Sequence, residues 1–152
     1  MTAYDLYVTI HVSGAVAWVG GNTVTQINGR RIVARNNAAE LQPFVSDLVW
    51  LTPRFFIPIS LLTVAFGAIS VWQGPWSFSD PWVDTGLTMF VISFLIGIAM
   101  LSPTAEQLEQ LAGDDKADSP EYTKKVSFLL LWSAIELVLL WATVFVMVLK
   151  PG

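Results

Sequence analysis

Two residues in this 152-residue chain have side chains suited to chemistry and stand where such side chains are costly. His11, the only histidine, lies in HVSGAVAWVGG, and Glu136 lies in SAIELVLLW; both stretches are otherwise uncharged and mostly apolar. An imidazole in such a setting can ligate a metal or haem iron, or exchange hydrogen bonds with a neighbouring helix. An ionised carboxylate in a lipid-like setting costs several kcal/mol unless a cation meets it. Glu136 is therefore expected as a neutral acid bonded to Trp18 or a serine, or paired with Arg54, the one base beside an apolar segment that could reach it. Helix adhesion is the structural role open to such a group, and proton relay or ion coupling the functional one.

The soft donors widen the choice at His11. Met89 could complete an axial pair with His11 on b-type haem within one chain, whereas bis-histidine ligation would need two copies. Copper(I) held by His11 with the thioethers of Met89 and Met147 is a third option. The absence of cysteine excludes disulfides, thiolate metal sites, iron–sulfur clusters and covalently attached haem. No Walker glycine loop, HExxH or GxSxG occurs, and DDKADSPE lacks the ligand order of an EF-hand, which argues against hydrolase and nucleotide-dependent chemistry.

These residues must be positioned by membrane helices. The chain is 54% hydrophobic and only 13% charged, with a positive mean hydropathy, a balance foreign to soluble domains of this length. Four stretches approach the roughly 20 apolar residues that cross a bilayer: about 4–25, 55–72, 82–101 and 126–149. They occupy most of the chain, so a single transmembrane domain is expected over 1–152. The first stretch lacks the basic flank and cleavage site of a signal peptide and is expected to persist. Arg30, Arg31 and Arg35 follow span 1 and Lys116, Lys124 and Lys125 precede span 4, while the Gly- and Pro-rich connection between spans 2 and 3 has no base. The positive-inside rule then puts both termini outside, with Trp72, Trp76 and Trp82 at the outer interface. The net charge of −4 and the lack of a basic face argue against nucleic acid as a partner.

Breakers refine the elements. Residues 36–51 read as a helical approach to span 2 crossed by Pro43, extending it down to Ala38, and TPRFFIP, with Pro53 and Pro58, predicts a kink at its inner end. PTAEQLEQLAG continues span 3 to a stop at Gly113, and Ser119-Pro120 caps span 4.

Helical phase gives each span one polar stripe: His11, Gly14, Trp18, Asn22 and Thr25; Ser60, Thr63, Gly67 and Ser70; Met89, Ser93, Gly97 and Met100; Ser133, Glu136, Thr143 and Met147. Lipid cannot satisfy such stripes, so they face inward, as an all-α, up-and-down four-helix bundle requires. At 1.5 Å of rise per residue, His11, Met89 and Thr143 lie about 10 Å below the outer surface, and Glu136 about 20 Å down, level with Trp18 and Gly97.

The spacing of His11, Trp18, Gly20 and Gly21 resembles a bacterial family of small four-span integral membrane proteins of unknown function. That family is similar to the copper-resistance D membrane domain and to HemJ-type protoporphyrinogen oxidases. The resemblance implies haem b bound through His11. The expectation is thus a multi-pass protein of the bacterial cytoplasmic membrane, a non-catalytic component of a homo-oligomer or larger membrane complex, with haem b at His11. The alternatives are a HemJ-like oxidase and a small-solute or ion-coupled transporter centred on Glu136.

Overall fold

The computed structural model describes residues 2–35 and 38–151, and nearly all of them are helical. Helix α1 spans Ala3–Ala34. Helix α2 (Ala38–Leu51) runs through a π-helical turn at Thr52–Phe56 into α3 (Ile57–Gln73). Helix α4 (Pro81–Ile96) runs through a second π-turn at Gly97–Leu101 into α5 (Ser102–Gly113), and α6 spans Pro120–Leu149. Four long helical rods result.

Three of these rods, Ala39–Gln73, Pro81–Gly113 and Pro120–Leu149, are long and apolar enough to cross a membrane. The expected first span has the length, in the 32 residues of α1, but Asp5, His11, Asn22 and Gln26 keep it out of that set. Much of the apolar surface faces outward. Val16, Val24, Leu131, Val138, Phe145 and Val148 are all more than half exposed, a coat that suits acyl chains and not water.

The local signals work as their chemistry dictates. Thr2 and Asp5 form a reciprocal capping box on α1. The Ser119 hydroxyl accepts from the Tyr122 amide ahead of a first-turn proline, and α5 ends at Gly113 as expected. Pro43 stands inside α2 without ending it; it removes one backbone bond, while Phe44 and Val45 beside it are buried and hold the helix down. Asn36, at the start of that segment, lies outside the described residues. The basic residues after span 1 do not form a loop, because Arg30 and Arg31 continue α1. Gly29 fails to break the helix since it is buried: a Cβ there would lie 2.8 Å from Phe44 Cζ and 3.1 Å from Leu130 Cδ2.

The kink expected in TPRFFIP takes the form of the first π-turn, closed by Ile57 N–H donating to Thr52 O. The second, closed by Ser102 N–H to Gly97 O, was not expected. Each π-turn ends two residues before a proline, Pro58 or Pro103. A proline gives no N–H to the preceding turn and its ring crowds the carbonyl there, so a locally widened helix relieves the clash.

Neighbouring rods run antiparallel. Gly14 of α1 meets Thr63 of α3, Gly86 of α4 meets Met147 of α6, and Gln26 of α1 meets Leu130 and Ser133 of α6. Helices α3 and α4, joined by residues 74–80, barely touch, although their extensions α2 and α5 pack together. Spans 2 and 3 are thus splayed near the short loop and closed at the basic end. Val45, Leu108, Ala112, Tyr122, Val126 and Leu129 form the core that closes them. Leu108 is fully buried there, so Leu108→Ala is expected to cost about 2–5 kcal/mol, seen as an earlier unfolding midpoint in detergent.

Candidate functional site

The stripe on α3 is buried as phase predicted: Ser60, Thr63 and Ser70 face inward, each satisfied by donating to a carbonyl of its own helix. On α1 the buried positions are Gly14, Trp18, Val19, Gln26, Gly29 and Ile32, so the stripe continues past the expected Thr25. On α4 it is rotated, with Val83, Gly86, Ser93 and Ile96 buried while Met89 and Gly97 are partly exposed.

The stripes converge on a cavity of about 90 Å³ toward the basic half of the bundle. Trp18, Asn22, Thr25 and Gln26 of α1 line it, with Thr52 and Phe56 of the first π-turn, Gly97 and Leu101 of the second, and Ser133 and Glu136 of α6. Both widened turns therefore border the same space, and π-turns recur at functional sites because they open a gap in the helix wall.

Glu136 is 6% exposed. Among the described residues no hydrogen bond or ion pair engages its carboxyl. Gly97 leaves the space beside it, since a Cβ there would lie 3.6 Å from Glu136 Oε1. The expected level match of Glu136 with Trp18 and Gly97 is observed, as all three line the cavity. The expected pairing with Arg54 is not. Arg54 is exposed, its guanidinium 5.0 Å from the centre of the Trp50 ring and donating to Trp50 O at 3.3 Å. The first π-turn leaves Arg54 off the buried face, where a charged group keeps its hydration. The serine on the same face, Ser133, donates to Gln26 Oε1 at 2.6 Å instead, and Gln26 Nε2 donates to Leu130 O at 3.1 Å. Gln26 is the site residue that sequence phase missed; it sits eight residues after Trp18 and four after Asn22, a spacing that carries the signal. Asn22 donates to Trp18 O within α1.

His11 lies elsewhere. Its Nδ1 stands 2.7 Å from Thr63 O, with the ring over Gly67, where a Cβ would come within 2.7 Å of Nδ1. A carbonyl only accepts, so the neutral ring carries its proton on Nδ1 and keeps a lone pair on Nε2. That is the tautomer in which ligating histidines are held. The structure does not bring Met89 to it. Phe90, the next residue, packs edge-on against Trp18 with ring centres 5.7 Å apart, seven residues along α1 from His11, so Met89 stands deeper than the level match supposed. Met147 rests on Gly86 of α4, whereas His11 is turned to α3. Among the described residues no three His, Asp or Glu side chains converge on a metal position. Neither the His11–Met89 haem pair nor the three-ligand copper set is assembled within one chain.

A family model described as "Predicted integral membrane protein (DUF2269)" matches residues 5–151. No curated protein and no solved structure matches the chain.

Proposed function

We propose, for a chain that belongs to the DUF2269 family of predicted integral membrane proteins, a carrier role in which Glu136 is the group that takes up and releases positive charge. The observation that carries this reading is the buried, unpartnered carboxyl on the wall of a cavity bordered by two π-turns. A structural acid would be expected to spend its hydrogen-bonding capacity on a neighbouring helix, yet the bonds that bridge α1 to α6 are made by Gln26 with Leu130 and Ser133 and by Trp141 with Thr23. A carboxyl left free inside a bundle is suited to binding something that comes and goes. In this reading α1 is the fourth span, carrying its polar face inward. The chain sits in the bacterial cytoplasmic membrane with both termini outside. The bases Arg30, Arg31, Lys124 and Lys125 support that orientation by lying at the end opposite Trp76 and Trp82. The test is ion movement in vesicles: proton or cation flux that disappears in Glu136→Gln supports the carrier, and flux unchanged by that substitution overturns it.

A second reading, haem b at His11, is favoured by the tautomer that leaves Nε2 free and by the resemblance of the His11–Gly21 segment to HemJ-type oxidases. The 90 Å³ cavity is too small for a macrocycle, so haem would be held at a surface between chains, with His11 of two copies or a partner's ligand completing the iron. On this reading the protein is an oligomer or a member of a larger complex. The expected result is a Soret band after haem supplementation that is lost in His11→Ala; no band in the unaltered protein removes the reading.

A further inference from the structure

The cavity specifies more than a charge. Among the described residues Glu136 is the only titratable side chain on its wall: α1 contributes Trp18, Asn22, Thr25 and Gln26, the α2–α3 rod Phe44, Leu48, Thr52 and Phe56, the α4–α5 rod Gly97, Leu101 and Ala105, and α6 Leu129, Leu130 and Ser133 besides the acid. One carboxylate with no base nearby is neutralised by one positive charge, so each occupant is a single proton or a single monovalent cation.

The walls distinguish the cation. An alkali ion sheds water only for a shell of several oxygens, and here most of the wall is hydrocarbon, from Phe44, Leu48, Phe56, Leu101, Leu129 and Leu130. Several polar groups of the wall already donate elsewhere: Ser133 to Gln26, Asn22 to Trp18 O and Thr52 to Leu48 O. An ammonium ion bearing small alkyl groups fits this lining better. Its charge sits against the carboxylate, and its alkyl groups lie on the aliphatic and aromatic wall to which Trp18, Phe44 and Phe56 contribute. A volume of about 90 Å³ favours small methylated ammonium ions over bulkier ones.

Resting on the carrier reading above, we infer that the cavity exchanges a proton on Glu136 for a small alkylammonium ion. As the cation enters, the carboxyl releases its proton toward water, so the cavity is neutral in both states and one proton leaves for each cation bound. This exchange turns the pH gradient across a membrane into cation movement.

The experiment uses the full chain and tetramethylammonium, which has no neutral form to cross lipid unaided. In weakly buffered detergent solution, adding it to the unaltered protein is expected to release one proton per chain, while tetraethylammonium and sodium release none. In proteoliposomes with an acidic interior, tetramethylammonium uptake is expected, and it falls to background in Glu136→Gln that elutes as a folded species. If sodium or protons move through Glu136 and tetramethylammonium neither binds nor moves, the ligand class is wrong and the carrier reading survives. If nothing moves in a Glu136-dependent way, the carrier reading itself fails. Should Glu136→Gln not fold, proton release by the unaltered protein decides alone, and its absence overturns the inference.

Discussion

Glu136→Gln is expected to unfold no earlier than the unaltered protein in detergent while moving neither protons nor cations in vesicles. The two results together separate function from adhesion. Gln is nearly the same shape as Glu, and among the described residues the carboxyl holds no partner that the amide would lose. Removing a potential charge from a site 6% exposed also removes a desolvation penalty, which for uncompensated buried ions amounts to several kcal/mol. Stability is therefore expected to stay level or rise. An acid serving as interhelical glue predicts the opposite, with a loss of about 1–2 kcal/mol. The measurement is thermal unfolding followed by helical circular dichroism, run beside the flux assay. A lowered midpoint with flux intact would return Glu136 to a structural role.

The second large effect concerns the closest approach of α1 to α3. A Cβ at Gly14 would clash with Thr63 Oγ1 and lie 3.4 Å from Leu62 Cδ2, and Thr63 is held in place because its hydroxyl donates to Ile59 O at 2.7 Å. Val at position 14 forces the helices apart. Overpacking of this kind costs about 1–3 kcal/mol, and the shift also pulls His11 from Thr63 O one turn away. Gly14→Val is expected to lower the unfolding midpoint and raise protease sensitivity at the α1–α3 contact. Gly20→Val serves as the control, since among the described residues no atom of another helix lies within 4 Å of a Cβ at Gly20. Equal stability of the two variants would show that α1 does not pack on α3 as described.

The polar residues inside apolar segments were legible in the sequence because a membrane leaves them few places to go. Ser60, Thr63 and Ser70 are buried on one face of α3, as their spacing of three and seven residues requires. Helix ends at Gly113 and Ser119 were legible for the same local reason, since capping depends on a few neighbouring residues. The level of Glu136 beside Trp18 and Gly97 followed from rise alone.

What sequence by itself determined is the all-helical, lipid-facing character of the chain, the existence of an inward polar stripe on each helix, and the isolation of one acid among apolar residues. These are properties of composition and of the 3.6-residue period, and each is settled within a few turns. The partners were decided only by tertiary structure. Phase says which face a residue occupies, whereas rotation and sliding of one rod against another choose what it meets, and both depend on side-chain shape summed over the whole contact. Thus Gln26 rather than Glu136 bridges α1 to α6, Arg54 turns to Trp50, and Met89 stands below His11 beside the Trp18–Phe90 contact. The second π-turn belongs to the same class of fact. Pro103 makes a disturbance there possible, and the packing of α5 against α2 fixes how the helix absorbs it.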